Sequence, residues 1–236
     1  MLTAYLTQFQ NLIQAPSSPV PLISTAQATT YINTARGQVA GEGECVRVYA
    51  SLETATNVQQ YPFSDITFPS GTQGVQGVLN VRMMTYAVAS GQKRVILRPW
   101  EWFNDFIVGQ PVPVAGFPHY WAQFGQGALG TLWVNLPDTA YSLSLDCVCY
   151  PLPLASDSDY EAIPYLWTDA VPYYAAWLGL QSVQRQADAD MMMKRFEDLM
   201  GRARRSVTSS VLPGQYAQGP DPMMANRLGV QPQRGA

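Results

Sequence analysis

Residues 141–149, YSLSLDCVC, place Tyr141, Leu143, Leu145, Cys147 and Cys149 on one side of an extended chain and Ser142, Ser144 and Asp146 on the other. A period of two sustained this long predicts a strand with one buried and one wet face. The same period runs back to Cys45. Val46-Arg47-Val48-Tyr49 alternates, residues 78–88 form a long strand, and Ser90-Gly91 turns it into Lys93–Leu97 as a hairpin. Thr131–Leu136 reads as a further strand. The glycine-rich run before it, residues 125–130, is followed by neither a lysine nor a helix start, so it is a hairpin loop and not a phosphate cradle. Residues 45–150 are therefore expected to be an antiparallel β-domain.

Outward from this block the period becomes helical on both sides. Leu2, Tyr5, Leu6, Phe9, Leu12 and Ile13 form one apolar stripe over residues 2–14, closed by Pro16. Ser24 with Gln27 is a capping-box pattern for a second helix that carries Ala28, Ile32, Ala35 and Val39 on one face and ends at Gly41 and Gly43. Beyond Pro151 and Pro153, Ser158 with Glu161 repeats the capping pattern, with Pro164 in the first turn. Leu166, Trp167, Ala170, Val171, Tyr174, Ala175 and Leu178 then build a face that reads as nearly all core, kinked or restarted at Pro172. Residues 187–205 align Met192, Phe196, Leu199 and Ala203, and Arg202, Arg204 and Arg205 crowd the C-terminal turn, where cations suit the helix dipole. Each helix alone is too short or too one-sided to persist in water, so the four are expected to pack together. The fold read from the sequence is α+β: a four-helix bundle (residues 1–44 and 151–206) interrupted by the inserted β-domain (45–150), with an extended C-terminal arm (207–236).

The arm has a composition of its own. Pro213, Gly214, Gly219, Pro220, Pro222, Gly229, Pro232 and Gly235 exclude a long helix or a regular strand. Fixing one residue costs roughly 1–2 kcal/mol of backbone entropy, so ordering the arm costs tens of kcal/mol. Its apolar residues, Val211, Leu212, Tyr216, Met223, Met224, Leu228 and Val230, offset that only against a surface the arm lacks. Another chain is the expected source of that surface.

The 236 residues suffice for one large or two small domains. Hydrophobic residues make up 47% and charged ones only 13%, about half the usual share, so much of the surface is polar-neutral or covered by neighbours. The net charge of −3 hides an asymmetry: residues 151–200 hold eight acids and three bases, residues 201–236 five arginines and Asp221 alone. Such a chain can meet other copies through opposite charges. There is no membrane-length apolar run and no signal-peptide pattern, so a soluble product of the cytoplasm is expected. Cys45, Cys147 and Cys149 read as reduced, buried thiols, and with His119 the only histidine no metal site is expected.

Candidates for chemistry are sparse. Glu101 with Asp105, or Asp138 with Asp146, would be the acid pairs of a glycosidase, but on a strand Glu101 points away from Trp100 and Trp102, as a solvated acid between core aromatics does. His119 lacks a partnered nucleophile. Tyr120, Trp121, Phe124 and Trp133 suit stacking on sugars or bases and equally suit a core. For duplex binding the β-region, with five bases and six acids, is not basic enough. The Met191-Met192-Met193 run reads as adaptable helix packing. No catalytic residue, cofactor or metal ligand is assigned.

The segment 163–183, IPYLWTDAVPYYAAWLGLQSV, followed by Gln184–Arg205, resembles the closing helix pair of head-to-tail adaptor (connector) proteins of tailed bacteriophages. The string 121–138, WAQFGQGALGTLWVNLPD, with LDCVCYPLPL and DSDYEAIP after it, is similar to podovirus-type members with a β-insertion. The resemblance spans most of residues 24–205 and carries no catalytic signature. It implies a non-enzymatic structural protein of the virion neck, assembled in the host cytoplasm. Such a protein forms a ring, commonly dodecameric, beneath the portal, with a tail or nozzle protein below and genomic DNA passing through without sequence-specific contact. The C-terminal segment then reaches onto the portal, with Arg202, Arg204, Arg205 and Arg227 as anchors and Leu212, Tyr216, Met223, Met224 and Leu228 filling grooves. The alternative is a carbohydrate-binding or cell-wall-lytic tail component built on the β-domain aromatics.

Overall fold

The structure, a computed structural model, describes residues 1–13, 23–88, 91–110 and 114–211. In chain order its elements are α1 (Leu2–Ile13), α2 (Thr25–Gly43), β1 (Arg47–Glu53), β2 (Gln60–Pro62), β3 (Val75–Val88), β4 (Gly91–Leu97), α3 (Trp100–Phe103), β5 (Tyr120–Phe124), β6 (Thr131–Val134), β7 (Ser142–Pro151), α4 (Tyr165–Thr168), α5 (Val171–Ser182) and α6 (Gln186–Val211).

Helix α2 starts as its local chemistry dictates. The Ser24 hydroxyl accepts from the Gln27 N–H at 3.2 Å, and the Gln27 side-chain oxygen accepts from the Ser24 N–H at 3.0 Å. Such a cap contributes about 1 kcal/mol. At the other end Glu44 takes the left-handed turn (φ 45°), and the preceding glycine serves packing: a Cβ on Gly43 would sit 2.6 Å from the Trp167 ring.

The second expected capping box does not form. Residues 158–164 are not helical, because the Glu161 carboxylate is taken by Arg36 of α2, 125 residues away, and α4 begins only at Tyr165 after Pro164. The helix then restarts at Pro172, within the first turn of α5. Leu166, read as core, is exposed instead. Helix α6 runs through Val211, past the expected start of the arm at Val207, so residues 212–236 lie outside the described residues.

The expectation of an antiparallel β-domain inserted into a four-helix bundle is overturned. The seven strands form one sheet in the order β1-β7-β3-β4-β5-β6-β2, and it is mixed, because β4 and β5 run parallel through Ile96↔Tyr120 and Leu97↔Trp121. A parallel neighbour requires a crossover, and residues 98–119 with α3 supply it. The sheet curls into a half-barrel. Three register shifts on β3, between Val75/Gly77, Val78/Asn80 and Val81/Met83, explain much of this, since each bulge adds a residue and sharpens the twist. They also change the periodicity: Val78, Val81 and Met84 are all buried although they lie three apart.

Helices and strands share one core. Phe9 of α1, Ile32 and Val39 of α2, Leu143, Leu145 and Cys147 of β7, Val171 and Ala175 of α5, and Phe196 of α6 belong to a single cluster of buried side chains. The helical layer therefore does not bury its apolar stripes on itself alone; α2 lies against β7 as well as against α5. This is α+β layer packing, in which the sheet's apolar face needs the helices as much as they need it.

Candidate functional site

The sequence directs attention to the C-terminal end of α6, and the structure brings three of its candidates together there. Arg202, Arg204 and Arg205 are all exposed, but α6 runs on past them to Val211 and its last turn holds no basic residue, so the expected placement of these cations in the C-terminal turn is not met. Arg202 pairs with Asp198 one turn back at 2.8 Å, an i,i+4 pair at the surface. Arg204 reaches across to the end of α2, donating to the Glu42 carbonyl at 3.0 Å and lying 3.4 Å from its carboxylate. Exposed pairs of this kind contribute about 0–1 kcal/mol, so they orient the guanidiniums more than they stabilise the fold. The remaining predicted positions, Leu212, Tyr216, Met223, Met224, Arg227 and Leu228, lie outside the described residues.

Beside this cationic end the structure shows a feature that periodicity misassigned. Helix α4 turns Trp167 inward against Gly43 and leaves Tyr165 83% and Leu166 54% exposed. A four-residue helix has too few turns for spacing to reveal which side is buried; the only signal was Pro164, which marks the start of the short element.

The aromatic candidates have a different fate. Trp121 is 1% exposed, on the face of β5 that joins the main core with Leu132 and Val134. Tyr120, Trp133 and Phe124 lie on the opposite face, under α3. Trp100 sits 5.0 Å from Trp133 and 5.1 Å from Phe124 between ring centroids, and Trp102 is 5.3 Å from Tyr120. The Arg98 guanidinium lies 4.8 Å from the Trp102 ring and 5.2 Å from the Tyr120 ring, within cation–π range of both. These rings form a second small core around fully buried Phe103, and Trp121 offers no face to a sugar.

The carboxylates are dispersed or occupied. Residues 100–103 are helical and continue into a π-helical turn over Asn104–Val108, not the expected strand; Glu101 and Asp105 both stay exposed. Asp138 accepts from the Tyr141 hydroxyl at 2.6 Å, and buried Asp146 is held by Arg47. The His119 backbone N–H donates to Asn135 Oδ1 at 2.7 Å, which also accepts from the Tyr120 N–H, so this Asn positions a loop. Among the described residues no cluster of His, Cys, Asp or Glu is arranged to hold a metal ion. Cys147 and Cys149 are buried as expected while Cys45 is only half-buried, and desolvation pushes all three thiols up to about 12, favouring the protonated form. Also among the described residues, no helix is long and apolar enough to cross a membrane.

Acids of the 152–164 connection serve structure as well. The Asp157 carboxylate accepts from the Thr3 hydroxyl, from the Thr3 N–H at 2.7 Å and from the Met1 amine at 2.9 Å. It thus caps α1 from across the molecule, and these bonds, the Thr3 hydroxyl first, hold its pKa well below the usual carboxylate range. Asp159 likewise accepts from the Ala155 and Ser156 N–H groups at 2.6 and 2.7 Å, and its pKa is lowered by them.

Several of the acids thus serve as caps and ion-pair partners, and exposed arginines and apolar side chains stand near one another on α6 and α4. The chain belongs to the SU10 adaptor protein family, a family of phage adaptors whose model matches residues 3–218. No curated protein matches the chain.

Proposed function

We propose that this protein is a head-to-tail adaptor of the podovirus type. It forms a ring of about twelve copies between portal and tail, and a closed ring needs one surface to mate repeatedly with another on the same chain. The ring extends the DNA channel in the neck of the virion, with a tail or nozzle protein docking below and the genome passing without sequence-specific contact. Its work is assembly and not turnover.

The observation that carries this reading is the family match over residues 3–218, which includes α6 and the first residues beyond it. The exposed arginines and the composition of the last residues supply the anchor. Arg202, Arg204, Arg205 and Arg227 would meet carboxylates of the portal, and Leu212, Tyr216, Met223, Met224 and Leu228 would fill its grooves. Many weak arms engaged at once gain through effective concentration, so each contributes little alone.

Class averages from electron microscopy of the purified protein, with and without portal, test the ring directly. Deleting residues 212–236 leaves α6 intact and is expected to abolish stable portal binding. Undiminished binding by the truncated chain overturns the anchoring role.

A further inference from the structure

Strand β4 is joined on its second side for only part of its length. It pairs with β3 from Gly91 to Val95, but with β5 only through Ile96 and Leu97. The Ile96 N–H donates to the His119 carbonyl and the Arg98 N–H to the Trp121 carbonyl, both at 2.9 Å, so the even-numbered residues direct their main-chain groups toward β5. Main-chain groups alternate sides along a strand, which points those of Gln92 and Arg94 the same way. There they meet no partner among the described residues, because the chain leading into β5 turns aside: the Gly116 N–H donates to the Leu136 carbonyl at 2.9 Å instead. Gln92, Lys93 and Arg94 are all exposed.

Strand β1, at the end of the sheet, leaves a second open edge. The Val46 carbonyl accepts from the Cys149 N–H on the β7 side, whereas Ser51 exchanges two bonds with Thr67 on the other side, at 2.9 and 2.8 Å. The odd-numbered residues of β1 therefore turn their main-chain groups outward, and among the described residues those of Arg47 and Tyr49 find no partner. A row of unpaired donors and acceptors is a template for one more strand. Charge selects which strand. Lys93 and Arg94 on β4 are exposed cations without an ion pair among the described residues, and Glu53 at the end of β1 is an exposed acid without one. Cations on an open edge deter indiscriminate pairing and admit a strand that carries an acid. Residues 212–236, rich in proline and glycine with Asp221 their single acid, do not suit that place.

We propose that β1 of one copy adds to the open edge of β4 on the next, so that the sheet continues from copy to copy. The two edges are different surfaces of one chain, which is what a closed ring requires. This rests on the ring assigned above and names the contact that builds it. Main-chain hydrogen bonds hold the two strands, and Glu53 brings a carboxylate to the side of Lys93 and Arg94, which fixes the choice of partner.

Proline tests the edges directly, since it removes an outward N–H and leaves the bonds on the inner side of the strand in place. Arg94→Pro spares the β3–β4 pairs and Tyr49→Pro the β1–β7 pairs; Arg94→Ala and Tyr49→Ala are controls that keep the N–H. Assembly of the full chain is read by sedimentation or, where the parent assembles only on portal, by class averages of that complex. Each proline variant alone is expected to form no ring, and the alanine controls to assemble like the parent. A 1:1 mixture of the two proline variants is expected to give dimers that grow no further, because one intact edge of each kind remains. Where a proline variant loses the parent's thermal midpoint, charge exchange at exposed positions decides: Glu53→Lys is expected to block assembly and Lys93→Glu with Arg94→Glu in the same chain to restore it. Rings formed by a folded proline variant, or by Glu53→Lys, overturn the edge pairing and leave the ring standing. Equal loss in the alanine controls places the contact in side chains and also overturns it. A parent that forms no ring in either setting overturns both readings.

Discussion

Arg36 of α2 and Glu161 of the β7–α4 connection form a two-pronged ion pair inside the protein, with Nη2 2.8 Å from Oε1, Nε 3.1 Å from Oε2, and side chains 0% and 7% exposed. The Arg36 guanidinium also donates to the Leu152 carbonyl at 2.8 Å, and Glu161 Oε1 accepts from the Ile163 N–H at 3.0 Å. The pair ties the N-terminal helices to the segment leading out of the sheet.

Removing one member leaves the other charged, buried and alone. Arg36→Met or Glu161→Leu is expected to cost about 3–5 kcal/mol in denaturant unfolding, and the double substitution to recover most of that loss. Equal destabilisation by all three variants would show that the geometry, and not the stranded charge, sets the cost.

Gly43 lets α2 approach α4. A methyl group there would meet the Trp167 ring at 2.6–3.1 Å, and an indole wedged between helices cannot swing aside. Gly43→Ala is expected to destabilise the fold by about 1–3 kcal/mol despite the better helix propensity of alanine, read from the shift in denaturation midpoint.

The cap on α1 makes stability depend on acid. The pKa of Asp157 is lower in the folded state than the ordinary 3.8, chiefly through the Thr3 hydroxyl, so its contribution is fully present above the unfolded value and is lost as pH falls through that value toward the folded one. Thermal midpoints taken from pH 5 down to pH 2 are expected to fall more steeply for the parent than for Asp157→Asn. Parallel curves would mean that the carboxylate does not cap α1 in solution.

Cys147 and Cys149 share the inner face of β7 and are buried, and burial pushes both thiols up to about 12. The native protein at pH 8 is expected to leave both unreacted with a disulfide reagent, and unfolding in denaturant to release them together. Rapid labelling of either in the folded state would contradict their burial.

Two matching patterns show where local reasoning holds and where it stops. Ser24 and Gln27 close a capping box because both partners lie within one turn and nothing else competes for them. Ser158 and Glu161 carry the same spacing, yet Arg36 claims the glutamate, and no local rule contains a residue 125 positions away. The strands divide in the same manner. Alternation over 141–149 announces β7, but its second face is not wet throughout as expected: Asp146 and Val148 are buried along with Leu145, Cys147 and Cys149, because Arg47 pairs with Asp146. On β3 the bulges shift the buried positions from every second to every third residue, and they exist only through pairing with β7. Strand β5 went unannounced because α3 covers its second face, so apolar residues line both sides. Of the candidate interface, the arginines were legible from their crowding along α6, although the helix runs on beyond them to Val211. Tyr165 and Leu166 were not, since their exposure depends on which way Trp167 turns to fill the space beside Gly43.

By itself the sequence determined the principal helices, most of the long strands, an interruption at Pro172 and the uneven distribution of charge. Each follows from side-chain periodicity, caps and turn residues acting over one or two turns of chain. Only the tertiary structure decided that the sheet is mixed and curled, that helices and strands share a core, and that α4 packs on α6. Those outcomes come from contacts between residues far apart in the chain, where shape and buried charge select the partner and local preference has no vote.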